Sequence, residues 1–258
     1  MGRLIDLNSD TGESFGVWSL GDDRGVLAHV TSTNIACGFH AGDPQVMLAT
    51  VRSAKEQCVA VGAHPGYRDL AGFGRRSMTC TPDEVYADCL YQIGALVAVC
   101  TAEGIPLCHV KPHGALYNQS AGSQKLADAV AAAISAVNPA LIMVGLAGTA
   151  HETAARKAKL LFAAEAFADR AYCADGSLVP RSQEGAVLHD PLVIAARAVR
   201  MVTQGTVVSI DGTQLSLHPD TICVHGDTPE AVAIAAAVSR ALKKAEVEVR
   251  PLREVLRV

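Results

Sequence analysis

Short aliphatic and β-branched runs alternate with longer Ala-rich amphipathic segments along the 258-residue chain. This alternation is typical of repeated β/α units around a parallel sheet, so the fold class is expected to be α/β. The apolar runs predict strands at 3–8, 31–36, 59–63, 107–112, 140–146, 160–167 and 221–225. The amphipathic segments predict helices at 44–57, 82–103, 123–136, 149–158, 190–204 and 228–245.

Three predicted helix starts combine a capping side chain with a proline at the first helical position. They are Asp43-Pro44, Thr81-Pro82 and Thr228-Pro229. Residues 206–217 break the alternation, because two short apolar runs flank Asp211-Gly212, a strong signal for a two-residue hairpin loop. We therefore expect a small β-hairpin excursion before the last strand. The sequence has no Pro/Ser-rich linker or internal repeat, which predicts a single domain over residues 1–258.

Polar residues recur inside the predicted strands, although a strand covered by helices is normally apolar on both faces. Because side chains alternate along a strand, Asp6, Asn8 and Asp10 share one face. His109 and Lys111 share a face in the same way. Burying unpaired charge costs several kcal/mol, so these polar faces are expected to meet inside a closed barrel of about seven parallel strands.

The richest polar clusters follow the strands, at the end where β/α barrels carry their working residues. They read NSDTGESFG (8–16), STNIACGFHAGDP (32–44), GAHPGYRDLAGFGRR (62–76), HVKPHGALYN (109–118), EAFADRAY (165–172) and VHGDTP (224–229). Helix capping explains some of the carboxylates and hydroxyls in these clusters but none of the histidines.

Four histidines, His40, His64, His113 and His225, stand at these strand ends. Three of them have a carboxylate nearby in the sequence, a pairing that supplies the acid or base a hydrolase needs. The pairs are His40 with Asp43, His64 with Asp69, and His225 with Asp227.

Lys111 on an interior strand face demands an anionic partner. That partner is either Asp or Glu from a neighbouring strand or a bound carboxylate or phosphate, and we favour the bound ligand. His109 is expected to be an interior histidine with satisfied hydrogen bonds. His109 and His113 do not form a zinc pair in this prediction, because Pro112 keeps the segment extended and places their Cα atoms about 13 Å apart.

Composition narrows the function classes. The 22 basic and 26 acidic residues give a net charge of -4, with no positive excess to bind nucleic acid or an anionic membrane. No stretch approaches the roughly 18 uninterrupted apolar residues of a membrane span, and acidic residues interrupt the position of a signal peptide. We therefore expect a cytoplasmic protein.

The eight cysteines, without a CxxC pair, are expected to be reduced core thiols. Cys37 is the exception, for which a reactive or ligating role stays open.

The sequence lacks a GxxxxGK[ST] phosphate loop, a GxGxxG fingerprint, an HExxH pair and a GxSxG elbow. Instead, the six clusters, in this order, resemble the LamB/YcsF family of lactam-utilisation proteins, whose members are also called 5-oxoprolinase A subunits. The resemblance covers nearly the whole chain. It implies a distorted, deacetylase-like (β/α) barrel that acts with 5-oxoprolinase subunits B and C. Together they would open the lactam of 5-oxo-L-proline to L-glutamate while hydrolysing ATP.

Catalytic roles for that reaction fall on the strand-end residues. Asp10 or Glu13, acting with His64, is expected to activate water, and His40 or His113 to donate to the developing oxyanion or to nitrogen. A divalent metal is left open, because the resemblance does not say whether an ion lies among Asp10, His64 and His113.

Positive charge for phosphate is assigned to Lys111, and we choose Arg170 and Arg181 for anion contact. The remaining candidates for binding substrate or phosphate are Asn8, Asn34, Arg75, Glu165, His225 and Asp227.

Two other functions remain open. A metal-dependent amidase or deacetylase would use the same aspartate and histidines as ligands and need neither ATP nor partners. A non-catalytic regulatory protein of the complex would bind a small acid through Lys111 and the arginines.

Overall fold

The first strand extends beyond the apolar run that predicts it. Polar residues continue the extended backbone to Thr11, and every residue from Ile5 to Thr11 is buried. In the computed structural model, which describes residues 2–258, the strands are β1 (Arg3–Thr11), β2 (Ser32–Ala36), β3 (Ala60–His64), β4 (Leu107–Val110), β5 (Ile142–Leu146), β6 (Leu161–Phe167), β7 (Thr206–Val208), β8 (Gln214–Ser216), β9 (Thr221–His225) and β10 (Val247–Val249). Met1, the first residue of the predicted domain, lies outside the described residues.

Seven of these strands close into a barrel. Strands β1 to β6 pair in sequence order and in parallel, β9 pairs with β6, and β9 also pairs with β1. The predicted seven-stranded parallel barrel is therefore confirmed. It is distorted at its base, because β10, which the sequence did not predict, pairs with the start of β1 over Arg3–Ile5.

Helices cover the outside of the barrel. They are α1 (Asp23–Leu27), α2 (Pro44–Glu56), α3 (Pro82–Glu103), α4 (Gly114–Gly122), α5 (Gln124–Val137), α6 (Ala150–Lys157), α7 (Pro191–Gln204), α8 (Ala231–Lys244) and α9 (Leu252–Val255). The six predicted helices are confirmed, with ends that move by up to three residues. The sequence missed α4, because glycines bound it and a polar run, residues 118–120, interrupts its apolar pattern. It also missed the very short α1 and α9.

Two of the three predicted caps are confirmed. The Asp43 side chain accepts from the amides of Gln45 and Val46, and Thr81 forms a capping box with Glu84. The cap at Thr228 is wrong, because α8 begins three residues later and the Thr228 hydroxyl is buried without a hydrogen-bond partner in the described chain.

The predicted hairpin is present as β7 and β8, an antiparallel pair apart from the barrel sheet. Its loop is longer than the predicted two residues. The Ser209 carbonyl accepts from the amide of Gly212, and the Ser209 amide donates to the Thr213 carbonyl, which leaves three residues in the loop. Gly212, with φ of +89°, takes the left-handed position that such a loop requires.

Helix α3 is, among the described helices, the one long and apolar enough by length and composition to cross a membrane. Core helices satisfy the same criteria. Ile93 and Leu96 are fully buried on its inner face, and Gln92 makes two 2.9 Å hydrogen bonds with the backbone of Gly66. These contacts pack α3 against the barrel.

A tight turn stands on the chain directly after Glu13. Phe15 and Trp18 exchange both backbone hydrogen bonds at 2.9 Å, and the Gly16 amide donates to Asp43 Oδ2 at 2.7 Å. The turn therefore holds Val17 and Trp18 outward, with 93% and 69% of their surface exposed.

Candidate active site

The carboxyl ends of β1, β3 and β4 bring four predicted residues together. Asp10 Oδ2 lies 3.3 Å from His64 Nε2, and Asp10 Oδ1 lies 3.0 Å from Lys111 Nζ. His64 Nε2 lies 2.9 Å from His113 Nδ1. All four side chains are buried and line one cavity of about 750 Å³. The predicted convergence of Asp10, His64, Lys111 and His113 is therefore present.

A buried network supports this centre from inside the barrel. Asn34 Nδ2 donates to Asp10 Oδ1 at 2.9 Å and to Asn8 Oδ1 at 2.8 Å, while Asn34 Oδ1 lies 2.8 Å from His109 Nε2. His109 is thus interior, as the sequence predicts, but its hydrogen bonds are not all satisfied, because Nδ1 is buried without a partner in the described chain. Asn8 and Asn34 are almost completely buried below the cavity, so they position other side chains, whereas we predicted that they contact substrate.

Lys111 is held by protein carboxylates, the less favoured of its two expected kinds of partner. Its Nζ lies 3.0 Å from Asp10 Oδ1, 2.8 Å from Glu165 Oε1 and 3.1 Å from Cys223 Sγ. Burial alone would lower the pKa of Lys111, but these neighbours outweigh it and raise the pKa well above its usual value. Lys111 therefore stays charged and neutralises the barrel interior.

The pKa of Asp10 is shifted in the opposite direction, downward. Burial alone would raise its pKa, but the charges of His64 and Lys111 hold the pKa of Asp10 well below its usual range. Its Oδ1 accepts from Asn34 and Lys111, whereas Oδ2 faces His64. Oδ2 is thus the oxygen available to take part in proton transfer.

The rings of His64 and His113 face each other through one nitrogen each. If both rings are neutral, these two nitrogens cannot form a hydrogen bond with each other. His64 Nδ1 lies 2.7 Å from the carbonyl oxygen of Lys111, and His113 Nε2 lies 2.8 Å from that of Phe73. Carbonyls only accept, so these two ring nitrogens carry the protons. The remaining nitrogens, 2.9 Å apart, then present two lone pairs to each other. A proton on His64 Nε2 or a cation between the rings satisfies this arrangement.

Glu13 and His40 complete the cluster. Glu13 Oε1 lies 3.9 Å from both His40 Nε2 and His113 Nδ1, and the His40 and His113 rings stack at 3.7 Å. Both ring nitrogens of His40 are buried without a hydrogen-bond partner in the described chain. Burial raises the pKa of Glu13 well above its usual value, and it lowers the pKa of His40 and of His113 well below theirs.

This cluster fits a metal ion. Glu13, His40, His64 and His113 each offer one ligand atom, all within 4.8 Å of one another. The backbone carbonyls that hold His64 and His113 are the supports that metal-binding histidines usually have. A second group, Asp10, Cys223 and His225, is close enough by the same measure, but the Lys111 ammonium already contacts two of its members.

The carboxylate partners of three histidines differ from the predicted ones. His40 faces Glu13 instead of Asp43, and His64 faces Asp10 instead of Asp69. His225 Nδ1 forms its ion pair with Asp169 Oδ2, at 2.8 Å, and not with Asp227. The three sequence neighbours have other partners: Asp43 caps α2, Asp69 pairs with Arg76, and Asp227 pairs with Arg75. The observed partners lie on another strand of the barrel (Asp10) or on the loop directly after one (Glu13 and Asp169).

The arginines at the cavity are used unequally. Arg170 donates to the backbone carbonyls of Val179 and Ala186, so it holds the following loop, and its predicted contact with an anion stays a prediction. Arg75 pairs with Asp227 at 2.5 Å. Arg181 lines the cavity and makes no side-chain hydrogen bond or ion pair within residues 2–258. Burial and the nearby Arg75 lower the pKa of Arg181, whereas the charges of Asp227, Asp169 and Asp10 act in the opposite direction.

Sequence reasoning missed two residues of the site and kept one that does not belong. Asp169 holds His225; strand alternation places it on the same face as Glu165, four residues earlier, but we did not select it as a site residue. Tyr117 lines the cavity one helical turn after His113. Cys37 is buried, and burial raises the pKa of its thiol to about 12, so a reactive role for it is not supported.

Comparison with known proteins gives the family of the chain. The model of the LamB/YcsF family matches residues 5–257. A protein from Symbiobacterium thermophilum, named as the A subunit of 5-oxoprolinase, is 53% identical over 247 residues, which cover 96% of this chain and 95% of that protein. Another protein of the same name, from Mycobacterium avium, is 54% identical over 246 residues, 95% of this chain and 98% of that one.

Solved structures extend the comparison to the fold. The crystal structure of a lactam utilization protein from Thermus thermophilus has a TM-score of 0.91 at 51% identity, covering 96% of this chain and 99% of that one. A peptidoglycan deacetylase from Bacillus subtilis has a TM-score of 0.51 at 11% identity over 99% and 92% of the two chains, which shows a shared fold alone. The deacetylase-like barrel is thus confirmed, and this chain belongs to the LamB/YcsF family.

Proposed function

We propose that this chain is the A subunit of an ATP-dependent 5-oxoprolinase that opens 5-oxo-L-proline to L-glutamate together with subunits B and C. The observation that carries the proposal is the buried Asp10–His64–His113–Lys111 centre at the mouth of a LamB/YcsF barrel. The relatives that bear the 5-oxoprolinase name support both the reaction and a multisubunit complex.

Coupling to ATP suits the chemistry of the substrate. A five-membered lactam re-forms readily from its open chain, because the tether gives the amine a large effective concentration. Transfer of a phosphoryl group from ATP to the lactam oxygen makes the ring carbon electrophilic. Water adds to that carbon, the C–N bond breaks as nitrogen takes a proton, and hydrolysis then releases phosphate. We place ATP in the complex without assigning its site to one component.

The hydrogen-bond and ion-pair partners of each residue suggest its role in the reaction. Asp10 Oδ2 accepts the proton of the attacking water, because Oδ1 is already engaged by Asn34 and Lys111. Arg181, a cation at the cavity whose guanidinium makes no direct ion pair within the described chain, binds the substrate carboxylate or phosphate. His225, held by Asp169, faces the cavity and protonates the ring nitrogen.

A divalent metal is part of the proposal. Glu13, His40, His64 and His113 would hold it, as the facing lone pairs and the unpartnered His40 nitrogens indicate. When bound, such an ion polarises a carbonyl or phosphoryl oxygen or lowers the pKa of a bound water.

Metal analysis tests this part of the proposal without any activity assay. We expect the purified chain to hold about one equivalent of zinc or another divalent ion after dialysis, and to lose thermal stability when a chelator removes it. His40→Asn should abolish retention, whereas His29→Asn should not, because His29 lies outside the cluster. Equal metal content in His40→Asn and the wild type would contradict the site.

Reconstitution tests the reaction itself. The purified chain is mixed with subunits B and C, ATP and 5-oxo-L-proline, and glutamate is assayed with each component omitted in turn. We expect release only from the full mixture, and a loss of about a hundredfold or more in Asp10→Asn. Asp128→Asn, at a half-buried position on α5 outside the cavity, is the matched control. Full turnover by Asp10→Asn would remove Asp10 from the mechanism.

The same assay separates the alternatives. The fit of the histidine cluster to a metal favours an ATP-independent amidase as the second candidate, and lactam or amide hydrolysis by the chain alone would establish it. Binding without turnover in the complete mixture would instead indicate a regulatory role. We also propose a cytoplasmic location, which all eight unpaired cysteines support.

A further inference from the structure

Two buried polar atoms at the cavity have no hydrogen-bond partner within the described chain. They are the Tyr117 hydroxyl and Glu165 Oε2. Both residues line the cavity beside Lys111, and each is only 3% exposed. An unpaired buried polar group costs free energy, so a pair of them facing one cavity indicates a ligand that satisfies both.

Glu165 is fixed so that one oxygen remains available. Its Oε1 lies 2.8 Å from Lys111 Nζ and accepts from Asn8 Nδ2 at 3.2 Å. These two donors hold the carboxylate in place and leave Oε2 as a fixed hydrogen-bond acceptor.

Tyr117 is fixed as the matching donor. Its ring packs edge-on against Phe167 at 5.6 Å and against His151 at 5.0 Å, which fixes the position of the hydroxyl oxygen. Burial, then the charge of Glu165 and a hydrogen-bonding contact with its carboxylate, raise the pKa of Tyr117 well above its usual value, so the hydroxyl keeps its proton. The hydroxyl therefore lies close to the Glu165 carboxylate, but the two groups do not form a hydrogen bond of good geometry.

A neighbouring donor and acceptor match one shape of amide. In a five-membered lactam the ring forces the amide to be cis, so its N–H and C=O point to the same side. Open-chain secondary amides are overwhelmingly trans and point these groups in opposite directions. We infer that Tyr117 and Glu165 recognise the cis amide of a lactam, with Tyr117 donating to the carbonyl oxygen and Glu165 Oε2 accepting from the N–H. This inference deepens the proposed function and rests on it for the identity of the substrate.

Ligand binding to the full chain, alone and with its partner subunits, tests the inference. The probes are 5-oxo-L-proline, its N-methyl derivative, which lacks the N–H, and N-acetylglycine, an open-chain amide acid. We expect the wild type to prefer 5-oxo-L-proline over both other probes. Tyr117→Phe should weaken 5-oxo-L-proline binding by about tenfold and reduce that preference.

A second tyrosine of the same cavity supplies the control. Tyr172 also lines the cavity, but its hydroxyl already accepts from the Phe167 amide at 2.8 Å. Tyr172→Phe should therefore lower thermal stability and leave the lactam preference intact. Tyr117→Phe should leave thermal stability nearly unchanged, because its hydroxyl makes no hydrogen bond of good geometry, and unchanged stability rules out misfolding as the cause of lost binding.

The outcomes separate this inference from the proposed function. Equal binding of N–H and N-methyl lactams by the wild type, unchanged binding in Tyr117→Phe, or no lactam binding in any preparation overturns the inference. If the reconstituted complex releases no glutamate but the chain keeps a Tyr117-dependent preference for N–H lactams, the proposed function fails and the lactam site stands.

Discussion

Lys111 is a buried ammonium shared by Asp10 and Glu165, and its removal is the most direct test at the scale of single residues. Lys111→Met leaves two buried carboxylates without their counter-charge. We expect the free energy of unfolding, measured in urea, to fall by about 3–5 kcal/mol. Lys157→Met removes an exposed ion pair with Asp128 and should cost less than about 1 kcal/mol. Equal stability of the two variants would contradict the role of Lys111 in the barrel interior.

A second residue-scale prediction concerns pH. Burial raises the pKa of Asp6 to about 6 from an ordinary value of 3.8, despite hydrogen bonds from Ser32, Thr221 and Thr31. The folded state therefore binds this proton more tightly than the unfolded chain. The contribution of Asp6 to stability is full below its unfolded pKa and is lost as pH rises through about 6.

Asp6→Asn removes that titration. The stability of this variant relative to the wild type should rise by up to about 3 kcal/mol between about pH 4 and pH 7. Denaturant unfolding at a series of pH values measures the difference. A difference that stays constant across this range would show that Asp6 does not titrate with a raised pKa.

Sequence reasoning placed most site residues at the correct end of the barrel but did not identify their partners. His64 illustrates the reason, because its carboxylate, Asp10, lies on another strand and 54 positions away along the chain. Spacing along the sequence reports which face a side chain occupies, whereas its contacts depend on strands that only the closed barrel brings together. Asp69, five positions from His64, is instead engaged by Arg76.

At the scale of secondary-structure elements, two Thr-Pro pairs with different outcomes allow a matched test. Thr81 caps α3 through Glu84, whose amide donates to the Thr81 hydroxyl at 3.2 Å. Thr228 caps no helix, and its hydroxyl is buried without a partner in the described chain. Thr81→Ala should lower the free energy of unfolding by about 1 kcal/mol. Thr228→Ala should leave it unchanged or raise it slightly.

Thermal or urea unfolding of both variants measures these changes, and a larger loss at Thr228 would reverse the assignment. The sequence did contain a signal for this difference. Glu84 stands three residues after Thr81 and completes a capping box, but Ala231 occupies the same position after Thr228. The β7–β8 hairpin also departs from its prediction in detail. Asp211-Gly212 correctly located the turn, but the hydrogen bond of Ser209 with Thr213 makes the loop three residues long instead of two.

At the scale of the whole molecule, the closed barrel needs a glycine at position 62, because the side chain of His109 packs against its backbone. A Cβ atom on Gly62 would lie 2.1 Å from His109 Nε2. Gly62→Ala should therefore displace His109 from Asn34 and lower the free energy of unfolding by about 1–3 kcal/mol or more. Gly94→Ala, on the exposed side of α3 with nothing within 4 Å of the added carbon, should instead stabilise the protein by up to about 1 kcal/mol. Equal effects in urea unfolding would contradict a packed interior.

The barrel itself was predictable from the sequence, because polar residues at alternate strand positions require a shared interior. Its distortion was not. Strand β10 joins the base of β1 through only three residues, Val247–Val249, too short a run to separate from the end of a helix. The single-domain organisation over the full chain stays a prediction.

Trp18 is the one tryptophan of the chain, and the turn that carries it, which follows Glu13 along the chain, leaves its side chain mostly exposed. Native fluorescence therefore comes from a single, solvent-exposed indole. A protein that binds over Trp18 should shift the emission to shorter wavelength, because it removes the indole from water. This shift gives a label-free titration of assembly. Partners that dock elsewhere should leave the spectrum unchanged.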